Sequence, residues 1–296
     1  MMLLKKTPLW IASKGLLAER GSDFFHCLEK TSATLDPEDI HDLRVASRRL
    51  REGLSLFKRS YPQKRISCVR KAVREITNML GDLRNIDEYC VFLRDEAIEL
   101  GEKHGTELAG SIDRYLKKRK EAQKQLKRDL RKVKPLRLRK YFVRTIHVPY
   151  LFDPSPDAND PFCPIDVFAR ENIDQRLSLV LSLIPEARFP EKALVQHRLR
   201  IAVKHYRYRI EVLSPFMDAG YHELHGHVKE YQEILGRIHD LDVFAELVRG
   251  MTLSSGTEKA LLNLVAIKRE KTFSAFSAKL GTMPFEVIGA NIRSLL

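Results

Sequence analysis

The chain has 296 residues, 44% of them hydrophobic, which is enough for one or two domains with sizeable cores and excludes disorder as a description of the whole. Fifty-two Lys and Arg against 39 Asp and Glu leave a formal charge of +13 with the histidines neutral, an excess that favours an anionic partner without naming it. No stretch approaches the roughly 18 apolar residues of a membrane-spanning helix, and Cys27, Cys68, Cys90 and Cys163 form no C-x-x-C pair, so a soluble intracellular protein with reduced thiols is expected.

Apolar residues recur at i, i+3, i+4 and i+7 along most of the chain, which predicts an all-α fold. Lys5 and Lys6 open the chain with charge, but Ser13 and Lys14 break the apolar stretch that follows and no small-residue cleavage site comes after it, so no signal peptide is expected. Pro8 starts a first amphipathic segment. Asp36-Pro37-Glu38-Asp39 then supplies an N-cap and an N1 proline for a second helix, which Tyr61-Pro62 closes. A third helix is expected to end near Leu80-Gly81, and a last helix or helical pair follows.

Within that last part, residues 114–144 hold fifteen Lys or Arg against Glu121 and Asp129, an excess of 13 that equals the charge of the whole chain. The density suits a long helix charged round most of its circumference, either one wall of an anion channel or a hydrated surface. Its end, from Arg137 to Arg144, is amphipathic enough for a surface role at anionic lipid. Five prolines (Pro149, Pro154, Pro156, Pro161, Pro164), interleaved with Asp153, Asp157, Asn159 and Asp160, then exclude a regular helix and mark a linker over 147–164. Beyond it Pro164 opens a helix as Pro8 does, and Pro190 and Pro215 bracket the next. Two halves result, 1–146 and 165–296, each with about four helices joined by short connections, the pattern of antiparallel four-helix bundles.

The halves repeat each other. His41-x-x-Arg44-x-x-x-Arg48-Arg49-x-Arg51 recurs 156 positions later as His197-x-x-Arg200-x-x-x-Lys204-x-x-Arg207, and Leu80-Gly81-x-x-Arg84-x-x-Asp87 recurs 155 positions later as Leu235-Gly236-x-x-His239-x-x-Asp242. At about 100° per residue the four bases of each stripe fall within an arc of roughly 80° over about 15 Å of helix. Like charges at such spacings cost a few tenths of a kcal/mol per pair, so an anion should offset them. Among Asp42, Glu52, Asp82, Asp87, Glu211, Asp240 and Asp242, only Asp87 and Asp242 occupy matching positions, too few for eight repeated bases, and their expected work is to orient Arg84 and its neighbours through ion pairs. A solvated helix face with surface ion pairs is the bland alternative.

Metal binding is not expected: His222, His225 and His227 cluster and His41, His197 and His239 repeat, but the repeated ones stand among Arg and Lys, which disfavour a dication. No G-x-x-x-x-G-K-[ST], G-x-S-x-G, H-E-x-x-H or G-x-G-x-x-G occurs, so no catalytic residue is assigned and binding is favoured over reaction.

In order, spacing and duplication these two motifs resemble the CHAD family, the conserved histidine α-helical domain, over nearly the entire chain. The resemblance implies two four-helix bundles related by a pseudo-two-fold axis, with inorganic polyphosphate bound in a basic central cavity or groove. It implies that His41, Arg44, Arg48, Arg51, His197, Arg200, Lys204 and Arg207 line the site, that Arg84 adjoins them, and that Arg74 and Lys229 join from the preceding helix. His239 stands opposite Arg84, a departure that breaks symmetric use of that position. The triphosphate-processing domain often fused to the family has no counterpart here, so a non-enzymatic, cofactor-free binding domain is expected, cytoplasmic and associated with polyphosphate granules. A nucleic-acid binder is the leading alternative, though neither stripe interleaves aromatics in both halves: Tyr206 and Tyr208 match Leu50 and Glu52. A metal-dependent phosphohydrolase is the third reading.

Overall fold

In the computed structural model, which describes residues 4–152 and 157–296, the apolar periodicity resolves into helices. They are α1 (Leu9–Thr34), α2 (Pro37–Leu56), α3 (Gln63–Met79), α4 (Gly81–Leu100), α5 (Glu102–Lys132), α6 (Pro135–Ile146), α7 (Ile165–Ala187), α8 (Ala193–Leu213), α9 (Tyr221–Arg249), α10 (Ser255–Thr282) and α11 (Phe285–Ser294), with 3-10 turns after α2 and α8. The class is all-α. Asp153, Pro154 and Pro156 of the expected linker lie outside the described residues.

Helix starts follow local chemistry. Pro37 takes the first turn of α2, where its missing N–H is no loss, and Glu38 and Asp39 put negative charge at the positive end of the helix dipole. Asp36 stands at the N-cap in extended backbone but makes no side-chain cap bond. The carboxylate used is Asp39, which accepts from Lys30 at 2.6 Å and Thr34 at 2.5 Å and so clamps α1 to α2. The turn between them passes through Leu35 at φ 55°, a left-handed conformation that costs a residue with a side chain of order 1 kcal/mol, offset here by burial of that side chain.

Two rings of four helices form the body. In the first, α2 and α6 both pack on α1 and on α3; in the second, α8 and α11 both pack on α7 and on α9. The rings meet where α2 crosses α8. At the far end the α4–α5 hairpin meets α9 and α10 over a separate apolar core of Phe92, Leu93, Leu108, Leu241, Phe244, Val248, Leu261 and Val265, with Phe92 stacked on Phe244 at 3.9 Å between centroids. A third contact joins the starts of α1 and α7: Leu9 N–H donates to the Cys163 carbonyl and Ile165 N–H to the Thr7 carbonyl. The two bonds flank an antiparallel bridge between Pro8 and Pro164, residues 156 positions apart. The described part of the connection is strapped down, with Tyr150 N–H on the Ser60 carbonyl and Asn159 on the Ser60 hydroxyl.

The expected four helices per half become six and five among the described residues. A helix ends at the first Leu-Gly pair, but only for one residue: Leu80 keeps helical φ/ψ, and α4 resumes at Gly81. At the second pair α9 runs straight through Leu235 and Gly236. An interior glycine costs about 1 kcal/mol against alanine, which the packing of Val228, Tyr231, Leu235, Ile238 and Leu241 outweighs.

Candidate anion-binding site

The stripes of α2 and α8 are brought together by their crossing. Arg44, Arg48, Arg51, His197, Arg200 and Lys204 are all partly buried, and each end of the crossing is closed by bases from other helices. Burial, then Arg48 and Arg84, push the Arg44 guanidinium below its ordinary proton affinity, with Glu88 opposing. Burial, then Arg74, Arg70 and Arg48, do the same at Arg51. Burial, then Arg200, Arg48 and Arg51, lower Lys204. One cationic cluster therefore spans α2, α3, α4 and α8 across both halves. Arginine stays protonated throughout, so these directions reflect charged groups that are partly buried and, second to that, close to one another.

On the α9 side the cluster ends in imidazoles. His197 and His239 approach Nδ1 to Nδ1 at 3.1 Å with ring centroids 4.2 Å apart. Two ring nitrogens at that distance hold one proton between them, one donating and the other accepting. Burial and then Arg200 lower both rings, His239 to about 4. Beside them Asp240 is raised by burial against the pull of Arg200, Arg237 and Arg84.

Carboxylates neutralise a different set of bases. Glu52 and Glu211 are buried at the α2–α8 crossing. Glu52 receives Arg209 at 2.7 Å and His205 at 3.1 Å, and despite burial, which opposes ionisation, these partners hold it at about 2. Glu211 receives His225 at 2.9 Å and Arg49 at 3.1 Å, and Arg207 Nε lies 3.2 Å from it as an ion pair without hydrogen-bond alignment. Arg207 is thus turned to Glu211 and not into the free cluster with the rest of its stripe. Lys229 faces outward to Glu233 at 3.5 Å and does not join. His41 is exposed at the start of α2, without a hydrogen-bond partner among the described residues. Asp87 and Asp242 do play matched parts, but their partners are Arg119 on α5 and Arg269 on α10, each at 2.5 Å; Arg84 is held by Glu88 at 2.7 Å.

Three residues of the cluster escape a reading of the stripes. Arg70 sits one turn before Arg74 and faces Arg51. Arg237 faces Asp240. Tyr208 is buried, its hydroxyl accepting from Arg48 Nε at 2.7 Å while the Arg48 and Arg207 guanidiniums lie 5.9 and 5.0 Å from its ring centre, so it fixes the Arg48 fork from the opposite half. Of the clustered histidines, His225 serves Glu211 and His227 lies beside Lys279 and Glu230. Among the described residues no three His, Cys, Asp or Glu side chains converge as a metal-ligand set, and no helix is long and apolar enough to cross a membrane.

Known proteins share this architecture, although among curated proteins none matches the chain. Solved structures with its fold include the following two. The CHAD domain from the plant Ricinus communis is 20% identical, with a TM-score of 0.62, over 100% of this chain and 95% of that one. PptA from Streptomyces chartreusis is 17% identical, with a TM-score of 0.68, over 93% of this chain and 100% of that one. The CHAD domain family matches residues 16–249, a span that takes in both histidine motifs and both Leu-Gly motifs, and the chain belongs to that family.

Proposed function

We propose that the chain binds inorganic polyphosphate, without turning it over, on the cluster formed by Arg44, Arg48, Arg51, Arg74, Arg84, Arg200, Lys204, His197 and His239. The observation that carries this is the mutual approach of bases from α2, α3, α4 and α8, close enough to depress one another while the nearest buried carboxylates are engaged elsewhere. Such crowding is relieved by a ligand with closely spaced charges, and a polyphosphate carries one per repeating unit. Guanidinium forks grip pairs of non-bridging oxygens, and Lys204 acts as a point charge. Preorganisation by Tyr208 and Glu88 removes part of the entropic cost of gathering the donors. The same reading puts the protein in the cytoplasm with polyphosphate deposits.

A nucleic acid would meet the same charge but no stacking platform, because Tyr208 is buried and engaged by Arg48 and Arg207. The test is titration of labelled polyphosphate against wild type and Arg44→Glu/Arg200→Glu, with RNA as competitor. Affinity should fall by about 100-fold or more in the variant and drop steeply with salt in wild type. Unchanged affinity in a folded variant, or RNA displacing polyphosphate at lower concentration, would overturn the reading. Phosphate release from short polyphosphates on adding divalent metal would convert it to a hydrolase.

A further inference from the structure

A second basic feature lies apart from the cluster. Between α3, the end of α5 and α6 runs a groove of about 1030 Å³, with Ala72, Ile76, Met79, Val133 and Leu138 on its floor and the exposed Tyr141 at its edge. Met79 and Asp129 also line an adjoining cavity of about 780 Å³ between α4 and α5, so the groove continues along the hairpin. One rim belongs to α6 and its approach: Lys134, Arg137, Lys140 and Arg144, none of which has a carboxylate partner among the described residues. Spaced by three and four, Arg137, Lys140 and Arg144 fall within an arc of about 60° and present one row of charge. Leu136 beside them is 69% exposed. The facing rim, on α3 and α4, carries Glu75 and Asp82. The corresponding place in the other half, between α9 and α10, holds only about 390 Å³ and is lined by Glu230 and Glu233, so neither the depth nor the charge comes with the repeat.

We infer that this groove docks an acidic amphipathic helix of a partner protein. Its occupant must cover apolar floor and answer a row of bases on one side only. A bare polyphosphate has nothing to place on Ile76 or Met79. A flat anionic bilayer meets Glu75 and Asp82 on the second rim and does not reach a floor recessed between helices. Tyr89 and Tyr115, the aromatics of the adjoining cavity, are packed edge-on to each other at 5.8 Å, which leaves Tyr141 as the exposed aromatic of the groove, too little for a run of stacked bases. A helix with apolar residues at i, i+3 or i+4, and i+7, and with Asp or Glu at three- and four-residue spacing along one flank, matches both features in one orientation, its acids running beside α6.

The experiment is selection of displayed helical peptides of about 16 residues, roughly 24 Å of helix at 1.5 Å per residue, against the full chain. Binding of the enriched peptides is then measured by fluorescence anisotropy. Acidic amphipathic sequences should be enriched. Arg137→Glu/Arg144→Glu and, separately, Leu136→Asp are surface changes that should each weaken them by about tenfold or more while leaving the helical circular dichroism unchanged. Saturating polyphosphate should leave the peptide bound. The inference fails if no such sequences emerge, if both variants bind like wild type, or if polyphosphate displaces the peptide one for one. It also fails if the face serves only phosphatidylserine vesicles or self-association, seen as either of these being lost in the same variants without peptide enrichment. Loss of polyphosphate binding alone would sink the function proposed above and leave this groove standing.

Discussion

If the function proposed above holds, the His197–His239 pair should make affinity and stability move in opposite directions with pH. In the free protein the burial of both rings, and then Arg200 and Lys204 on α8, keep the pair neutral. From α9 Asp242 opposes this but is itself held by Arg269 of α10, while Asp240 is raised and Arg237 adds further positive charge. His239 titrates at about 4 when folded and near 6.5 when unfolded. Between those values the unfolded chain holds the extra proton, so the contribution of His239 to stability is intact above pH 6.5 and declines as pH falls towards 4. At about 1.36 kcal/mol per unit, and discounted for the partial exposure of the ring, the loss is about 1–2 kcal/mol.

A phosphate seated on Arg200 and Lys204 offsets their share of what holds His239 down, and its own negative charge beside the ring works against the larger share that comes from burial. If the bound ring returns to its ordinary value near 6.5, affinity at pH 5.5 exceeds that at pH 7.5 by about tenfold. Anisotropy with long polyphosphate, whose internal units do not titrate in this range, measures the ratio. Calorimetry near pH 6 in buffers of different protonation enthalpy counts the proton taken up. His239→Gln, which can still hydrogen-bond to His197 but cannot titrate, should flatten the profile and keep most of the affinity at pH 7.5. A flat profile in wild type, or the same slope in the variant, would refute the coupling.

Three further outcomes follow from the packing. Glu52→Gln leaves Arg209, whose side chain is only 4% exposed, buried without its counter-charge and should cost about 3–5 kcal/mol, read as a lowered urea midpoint with little change in slope. Gly21→Ala drives a methyl into the Phe142 ring, where α6 lies on α1, and should cost about 1–3 kcal/mol in the same assay; Gly81→Ala, with open space at its Cβ, should not destabilise. Phe244→Ala removes the ring stacked on Phe92 from the small distal core and should cost about 3–5 kcal/mol, accompanied by faster amide exchange in α4 and α10 before any change in α2.

Much of this is written in the chain because it is local. Helix period, Pro37 at N1 and the matched stripes require no knowledge of partners, and the fold class follows from them. What escapes a linear reading is tertiary. Arg207 shares the stripe phase of Arg51, yet Glu211 one turn further on is buried and claims it together with Arg49 and His225. Lys229 matches Arg74 in register, but Glu233 at i+4 takes it at the surface. Asp87 lies one turn after Arg84 and is nevertheless taken by Arg119 on the next helix of the hairpin, a contact that depends on how α5 folds back along α4.

The buried carboxylates explain how two cationic helices can cross at all. α2 and α8 bring like charges together, and the cost of doing so has to be met at the crossing itself. Adjacent residues on a helix point about 100° apart, so Arg48 and Arg49 serve different ends: Arg48 turns to Tyr208 and the open cluster, and Arg49 turns to Glu211 in the other half. At the matching positions, Lys204 joins the cluster and His205 turns to Glu52. Each half therefore supplies one carboxylate that binds a base of the other, and these reciprocal pairs hold the crossing closed while Arg44, Arg48, Arg51, Arg200 and Lys204 have no carboxylate partner among the described residues. Under the function proposed above, the burial of Glu52 and Glu211 lets α2 and α8 cross while the remaining bases keep their charge for the ligand.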